Sequence, residues 1–180
     1  MLRNRNRTLL TFTAGLVAVY VGWFWFLFRL SRHDVTESCI SNIRQCGLGL
    51  TMYSQDYDDR LPTHTDWMDA SVPYVRNEDT YHCPELRRES PNAYGYALST
   101  SLLGLKVSDI PGPSRVPFVF DTSLPERNAG SELATLPNPP RHDSHKCNVI
   151  SYLDGSVFGV SPTGDRKPPE FFKGSPRPGF

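Results

Sequence analysis

Neither sign of charge is in excess in this 180-residue chain: lysine plus arginine and aspartate plus glutamate number 19 each. That balance argues against nucleic acid as a bulk electrostatic partner, which calls for a basic patch or stripe. Acidic residues are missing altogether between Met1 and Arg32. No two of the four cysteines stand at the CxxC spacing of a zinc site, and no Gly-x-Ser-x-Gly nucleophile elbow occurs. An EF-hand is absent as well. Counting Asp56 as its first position puts Leu61 and Trp67 where the loop needs glycine and glutamate. These gaps leave no catalytic set, and the chain is expected not to be an enzyme.

What the chain does have is 16 prolines and 13 glycines, which argue for a loop-rich domain with short strands. It also has one long uncharged run, TLLTFTAGLVAVYVGWFWFLF, from Thr8 to Phe28. At 1.5 Å per residue this run spans about 31 Å, close to the hydrocarbon core of a bilayer. Its leucine, valine and phenylalanine content contributes on the order of −4 kcal/mol to insertion. Tyr20, Trp23 and Trp25 crowd toward one end, where amphipathic rings favour the membrane interface. A cleaved signal peptide would have a shorter apolar stretch followed by a small-x-small site, and Phe28-Arg29-Leu30-Ser31-Arg32 offers none. Residues 8–30 are therefore expected to be a transmembrane helix. Arg3, Arg5 and Arg7 precede it, against Arg29 and Arg32 after it, which favours residues 1–7 in the cytoplasm and the rest outside.

The stretch His33 to Asp59, HDVTESCISNIRQCGLGLTMYSQDYDD, places apolar residues at Cys39, Ile43, Cys46, Leu50, Tyr53 and Tyr57. Gaps alternating between four and three keep them on one face of a helix, so residues 31–59 are expected to form an amphipathic stalk. Gly47 and Gly49 weaken that helix by roughly 1 kcal/mol each relative to alanine. Pro62 is expected to end it by disfavouring a helical Leu61. Residues 60–161 are expected to form a small extracytoplasmic α+β domain. Trp67 to Val75 suits a short helix or turn, and Asn92 to Ser99 a loop or short strand. Val116 to Asp121 suits a strand with Pro117 at its start or on a sheet edge. Cys147 to Val160 reads as a hairpin around Asp154-Gly155, a pair suited to a two-residue type I′ turn. Val149, Ser151 and Leu153 then share one face, and Asn148, Ile150 and Tyr152 the other. Residues 162–180, rich in proline and glycine, are expected to be a flexible tail.

SCISNIRQCGLGLTMYSQDYDDRLP, followed by a tryptophan-containing segment, YHCPE and RHDSHKCNVISYLDGSV, resembles bacterial prepilin-like proteins. The group in question carries a C-terminal motif of histidine, nine residues and Asp-Gly, matched here by His142, Asp154 and Gly155. The resemblance spans about residues 36–160. It implies a pilin-like fold, a long N-terminal helix packed on a small antiparallel sheet. It also implies association with type II secretion or pilus-like machinery, at the bacterial inner (cytoplasmic) membrane. Two departures stand out. Gly15 lies inside the apolar run and Tyr20 stands five residues on, where prepilins have a glutamate after their cut site. His142 has 11 residues before Asp154 and His145 has eight, so neither reproduces the motif's spacing.

By the same resemblance, Cys39 and Cys83 match the two cysteine positions usually occupied in the family. A bridge between them closes a loop of about 44 residues, worth about 4 kcal/mol on the chain-entropy model. Cys46 lies two turns along the Cys39 face, and Cys147 opens the hairpin expected to cover that face. Cys46–Cys147 is the expected second pair, one of three connectivities open to four cysteines. Asp56, Asp58 and Asp59 read as solvated acids at a helix end, with a loose calcium site as the alternative. His142, His145, Asp154 and Asp121 are candidates for a divalent metal, although an i,i+3 histidine pair in a loop fixes no geometry. The plainer reading has Asp154 serving the turn and a histidine bonding backbone. The leading expectation is a non-enzymatic, pseudopilin-like envelope protein without a cofactor. Its alternative is a tethered domain that binds a divalent metal or a saccharide.

Overall fold

The computed structural model describes residues 15, 17, 19–24, 35–63, 66–142 and 145–167. The chain divides into two compact units, Met1–His33 with Ser175–Phe180, and Asp34–Gly174. In the first unit the described residues are helical, and Val17, Val19, Tyr20, Val21, Trp23 and Phe24 are exposed. Among the described residues no helix is long and apolar enough to cross a membrane. Most of the expected anchor, Thr8 to Phe28, and the whole of residues 1–7 lie outside the described residues.

The second unit is an α+β domain. Helix α1 (Val35–Asp56) buries Cys39, Ile40, Ile43, Cys46 and Leu50, four of which the heptad-like spacing placed on the inner face. Tyr57 departs from that expectation. It lies beyond the helix, 54 % exposed, with its ring stacked on Tyr53 at 4.2 Å. The helix ends three residues before the expected Asp59, and not through Pro62. Asp58 and Asp59 take left-handed conformations (φ 54° and 61°), and the Asp59 N–H returns to the Ser54 carbonyl at 2.8 Å. That closure satisfies a terminal carbonyl locally, and aspartate tolerates the left-handed region better than most residues.

Helix α2 (Trp67–Val75) has the bounds read from the sequence, and α3 (Pro84–Glu89) starts with a proline, whose fixed φ suits a first turn. The strands are β1 (Tyr96–Ser99), β2 (Pro117–Asp121), β3 (Gly130–Ser131), β4 (Asn148–Tyr152), β5 (Val157–Val160) and β6 (Arg166–Lys167). They form one sheet in the order β3-β1-β2-β4-β5-β6. The sheet is mixed rather than purely antiparallel, because β3 runs parallel to β1. Pro117 stands at the start of β2, a central strand. β6 pairs with β5, so part of the segment expected as a flexible tail belongs to the sheet, and residues 168–180 lie outside the described residues.

The β4–β5 connection is longer than expected. Ser151 pairs with Val157, and of the two turn residues Gly155 alone has positive φ (82°), so this is no two-residue type I′ turn. Asp154 instead accepts hydrogen bonds from the backbone N–H and hydroxyl of Ser156, at 2.9 and 2.6 Å. An aspartate that bonds the backbone two residues on makes its own turn and needs no left-handed φ. The predicted alternation of faces does hold. Val149 and Leu153 join the core beneath α1, while Ile150 and Tyr152 pack on the opposite face with Ala97 and Phe120. Leu124 and Leu136 pack on that second face. Between Pro117 and Phe120 the β2–β4 register shifts. There the Ser151 hydroxyl accepts from the Val119 N–H (3.0 Å) and donates to the Val119 carbonyl (2.8 Å), replacing ladder bonds with side-chain ones.

The two helix glycines have different surroundings. A Cβ on Gly47 would sit 3.6 Å from the Phe118 ring, ordinary contact, whereas one on Gly49 would lie 2.5 Å from Val75 Cγ2. Gly49 thus allows α2 to approach, and β-branched Val75 has few ways to yield. Gly47→Ala is expected to stabilise the domain by about 0.5–1 kcal/mol. Gly49→Ala is expected to destabilise it by about 1–3 kcal/mol. Urea denaturation midpoints read both, and equal shifts of one sign would refute this account of the helix pair.

Candidate functional site

Four distant parts of the chain bring polar side chains to one place beside the central strands β2 and β4. Cys39 comes from the first turns of α1, Cys83 directly precedes α3, Asp121 ends β2, and Arg141 and His142 precede β4. His142 is held by backbone bonds with Cys147, N–H to carbonyl at 3.1 Å and the reverse at 3.3 Å. Cys39, Cys83, Asp121 and His142 are all fully buried.

Asp121 is the hub. One carboxylate oxygen accepts from His142 Nε2 at 3.1 Å and from the Val149 N–H at 2.7 Å. The other accepts from Arg141 Nη1 at 3.2 Å. The Arg141 guanidinium also donates to the carbonyls of Gly95 and Thr122. Gly95 has φ 85°, and a Cβ there would come within 2.9 Å of that guanidinium, so glycine makes room for it. Burial alone would raise the Asp121 pKa, but His142, Arg141 and the Val149 N–H outweigh it and hold the carboxyl below its usual range. Burial likewise pushes His142 down, yet the Asp121 charge prevails and raises it.

Beside this ion cluster the Cys39 and Cys83 sulfurs are 3.1 Å apart. Burial raises the Cys39 thiol, and its hydrogen bond lowers Cys83 to about 7. One sulfur of the pair thus acts as donor and the other as acceptor. An imidazole nitrogen of His142 lies within 4.8 Å of both sulfurs. His142 Nδ1 is buried and has no hydrogen-bond partner among the described residues, with Glu85 Oε2 3.6 Å away. Glu85 and Arg141 line a cleft of about 500 Å³ with Leu86, Glu89 and three prolines.

The structure places the residues singled out from sequence as follows. All four cysteines are buried thiols, so neither expected bridge is formed in it. Cys39 and Cys83 are brought together, while Cys46 turns its sulfur to the Thr80 carbonyl at 3.7 Å. Of the four metal candidates, His142 and Asp121 meet, Asp154 is taken up by its turn, and His145 lies on the loop before β4. Asp56 accepts from the Tyr74 hydroxyl (2.6 Å), and Asp59 from the Ser108 N–H (2.9 Å), which ties the helix end to its neighbours. Arg141 and Glu85 were not among the candidates. A buried arginine carries no local signature, since the partners of its guanidinium lie 19 or more positions away.

Compared with known proteins, the chain matches no family model, no curated protein and no solved structure. Its fold and site therefore stand on their own: an α+β domain with a thiol pair set against a buried Arg–Asp–His cluster.

Proposed function

We propose that this chain is a single-pass, membrane-anchored, pseudopilin-like envelope protein that acts by assembly rather than by catalysis. In this reading the apolar run of residues 8–30 holds it in the bacterial inner membrane, N-terminus inside and domain outside. α1 and the anchor make the lateral contacts to secretion or pilus-like components. The observation that carries the reading is α1 itself. One face covers the sheet core, while Leu48 and Met52, one turn apart on another face, are exposed at 59 % and 42 %. Two large apolar side chains at i,i+4 on a helix that follows a membrane-length apolar run suit a lateral helix contact.

The test is a photo-crosslinking amino acid at position 48 of the full chain in native membranes. Crosslinks to secretion or pilus-like subunits, or a ladder of the chain itself, are expected, and Met52→Glu should abolish them. Monomer alone, or recovery of the protein in the soluble fraction, would overturn the reading.

A further inference from the structure

We propose that Cys39, Cys83 and His142 form a zinc site, with the Glu85 carboxylate as fourth donor. This set differs from the four histidine and aspartate candidates suggested by sequence. It shares His142 with them and moves Asp121 from ligand to supporting partner. Its three nearer donors converge from α1, the start of α3 and the strand approach to β4, all fully buried and mutually within 4.8 Å.

The strongest argument is His142. Among the described residues its Nδ1 is buried without a hydrogen-bond partner, and a buried polar atom left in that state destabilises the fold. Protonation cures little, because the nearest acceptor among its ion partners on that side, Glu85 Oε2, is 3.6 Å off, beyond hydrogen-bond reach. A disulfide between Cys39 and Cys83 would leave that nitrogen as it is. A metal ion would use it. Asp121, bonded to Nε2 at 3.1 Å, is then the carboxylate that fixes the tautomer and ring orientation of a metal-bound histidine. Bound in this way, His142 is neutral and donates Nε2–H to Asp121, and the proton it loses leaves with those of the thiols.

Donor chemistry selects the ion. Two thiolates and an imidazole exclude calcium and magnesium, which take oxygen. A carboxylate as fourth donor favours Zn²⁺ over Cu⁺, since cuprous ion prefers soft ligands. Zinc about 2.3 Å from each sulfur in a tetrahedral site separates the sulfurs by about 3.8 Å. The pair at 3.1 Å needs only a small opening to reach that. Zinc balances the two thiolates, and the Glu85 carboxylate leaves the four-donor site with one net negative charge beside the Arg141–Asp121 ion pair. Glu85, on the first turn of α3 two residues after Cys83 and facing the 500 Å³ cleft, gives the ion an entry.

The experiment uses the full chain, extracted from membranes without reductant or chelator, and measures zinc content and thiol state together. One zinc per chain with Cys39 and Cys83 both unoxidised is expected. Cobalt exchanged into the site should show a thiolate-to-cobalt charge-transfer band. Cys83→Ser should remove the band and lower zinc affinity by at least 100-fold. Glu85→Gln, at a half-buried position, should weaken zinc roughly 10-fold and keep the metal-free far-ultraviolet spectrum unchanged. A Cys39–Cys83 disulfide with no zinc overturns the proposal. So does zinc retained in full by both variants. Neither result touches the anchor reading, which rests on crosslinks at position 48.

Discussion

Asp121→Ala is expected to cost about 3–5 kcal/mol, a large share of the stability of an ordinary domain. Asp121 is wholly buried and serves three donors: His142 Nε2, Arg141 Nη1 and the Val149 N–H. Truncating it leaves the Arg141 side chain, 7 % exposed, as a buried charge with no counterion among the described residues. The guanidinium keeps its bonds to the Gly95 and Thr122 carbonyls, so it cannot simply swing out to water. Most of the cost is thus the stranded charge and not the lost bond. The double variant Asp121→Asn with Arg141→Met tests this division. Removing both charges should cost clearly less than the sum of the two single changes, as a coupled pair requires. Urea denaturation of the four proteins gives the coupling. Strict additivity, or a loss under about 1 kcal/mol for Asp121→Ala, would mean the cluster is not the buried hub described here.

Trp67→Ala is the second large effect, at about 3–5 kcal/mol. Trp67 opens α2 and is fully buried in the core beneath α1, its ring edge-on to Tyr81 at 5.9 Å. Its Nε1–H donates to the Ala129 carbonyl at 2.9 Å, which links α2 to the start of β3. That carbonyl also accepts from the Leu98 N–H at 3.0 Å. Trp67→Phe therefore leaves no acceptor orphaned and should cost about half as much as alanine, from volume and one hydrogen bond. A phenylalanine variant as unstable as the alanine one would show that the indole hydrogen bond, and not its bulk, dominates. Thermal and urea unfolding followed by circular dichroism distinguish the two.

Much of the scaffold was legible because it repeats over short distances. The inner face of α1 followed from apolar gaps of three and four, and α2 has the bounds read for it. The two faces of the β4–β5 hairpin followed from alternation. Where a side chain could replace the backbone's usual solution, local rules misplaced the detail. Asp154 built its own turn with Ser156, and Asp58 and Asp59 closed α1 before Pro62 was reached. The two-residue strands β3 and β6 are too short to leave any periodic trace.

Composition and periodicity by themselves determined an uncharged run of membrane length, an amphipathic helix after it and a short-stranded α+β domain. These are properties of residues one to four positions apart, so the chain carries them before it folds. Tertiary structure alone decided that Cys39, Cys83, Asp121, Arg141 and His142 share one buried site, with Glu85 at its rim. Cysteines 44 positions apart, and an aspartate 20 before its arginine, meet through the paths of three helices and a sheet. Each buried charge or thiol must find a partner, and the partner's identity depends on which strand lies beside which. Pairing across that distance is set by packing, not by local pattern.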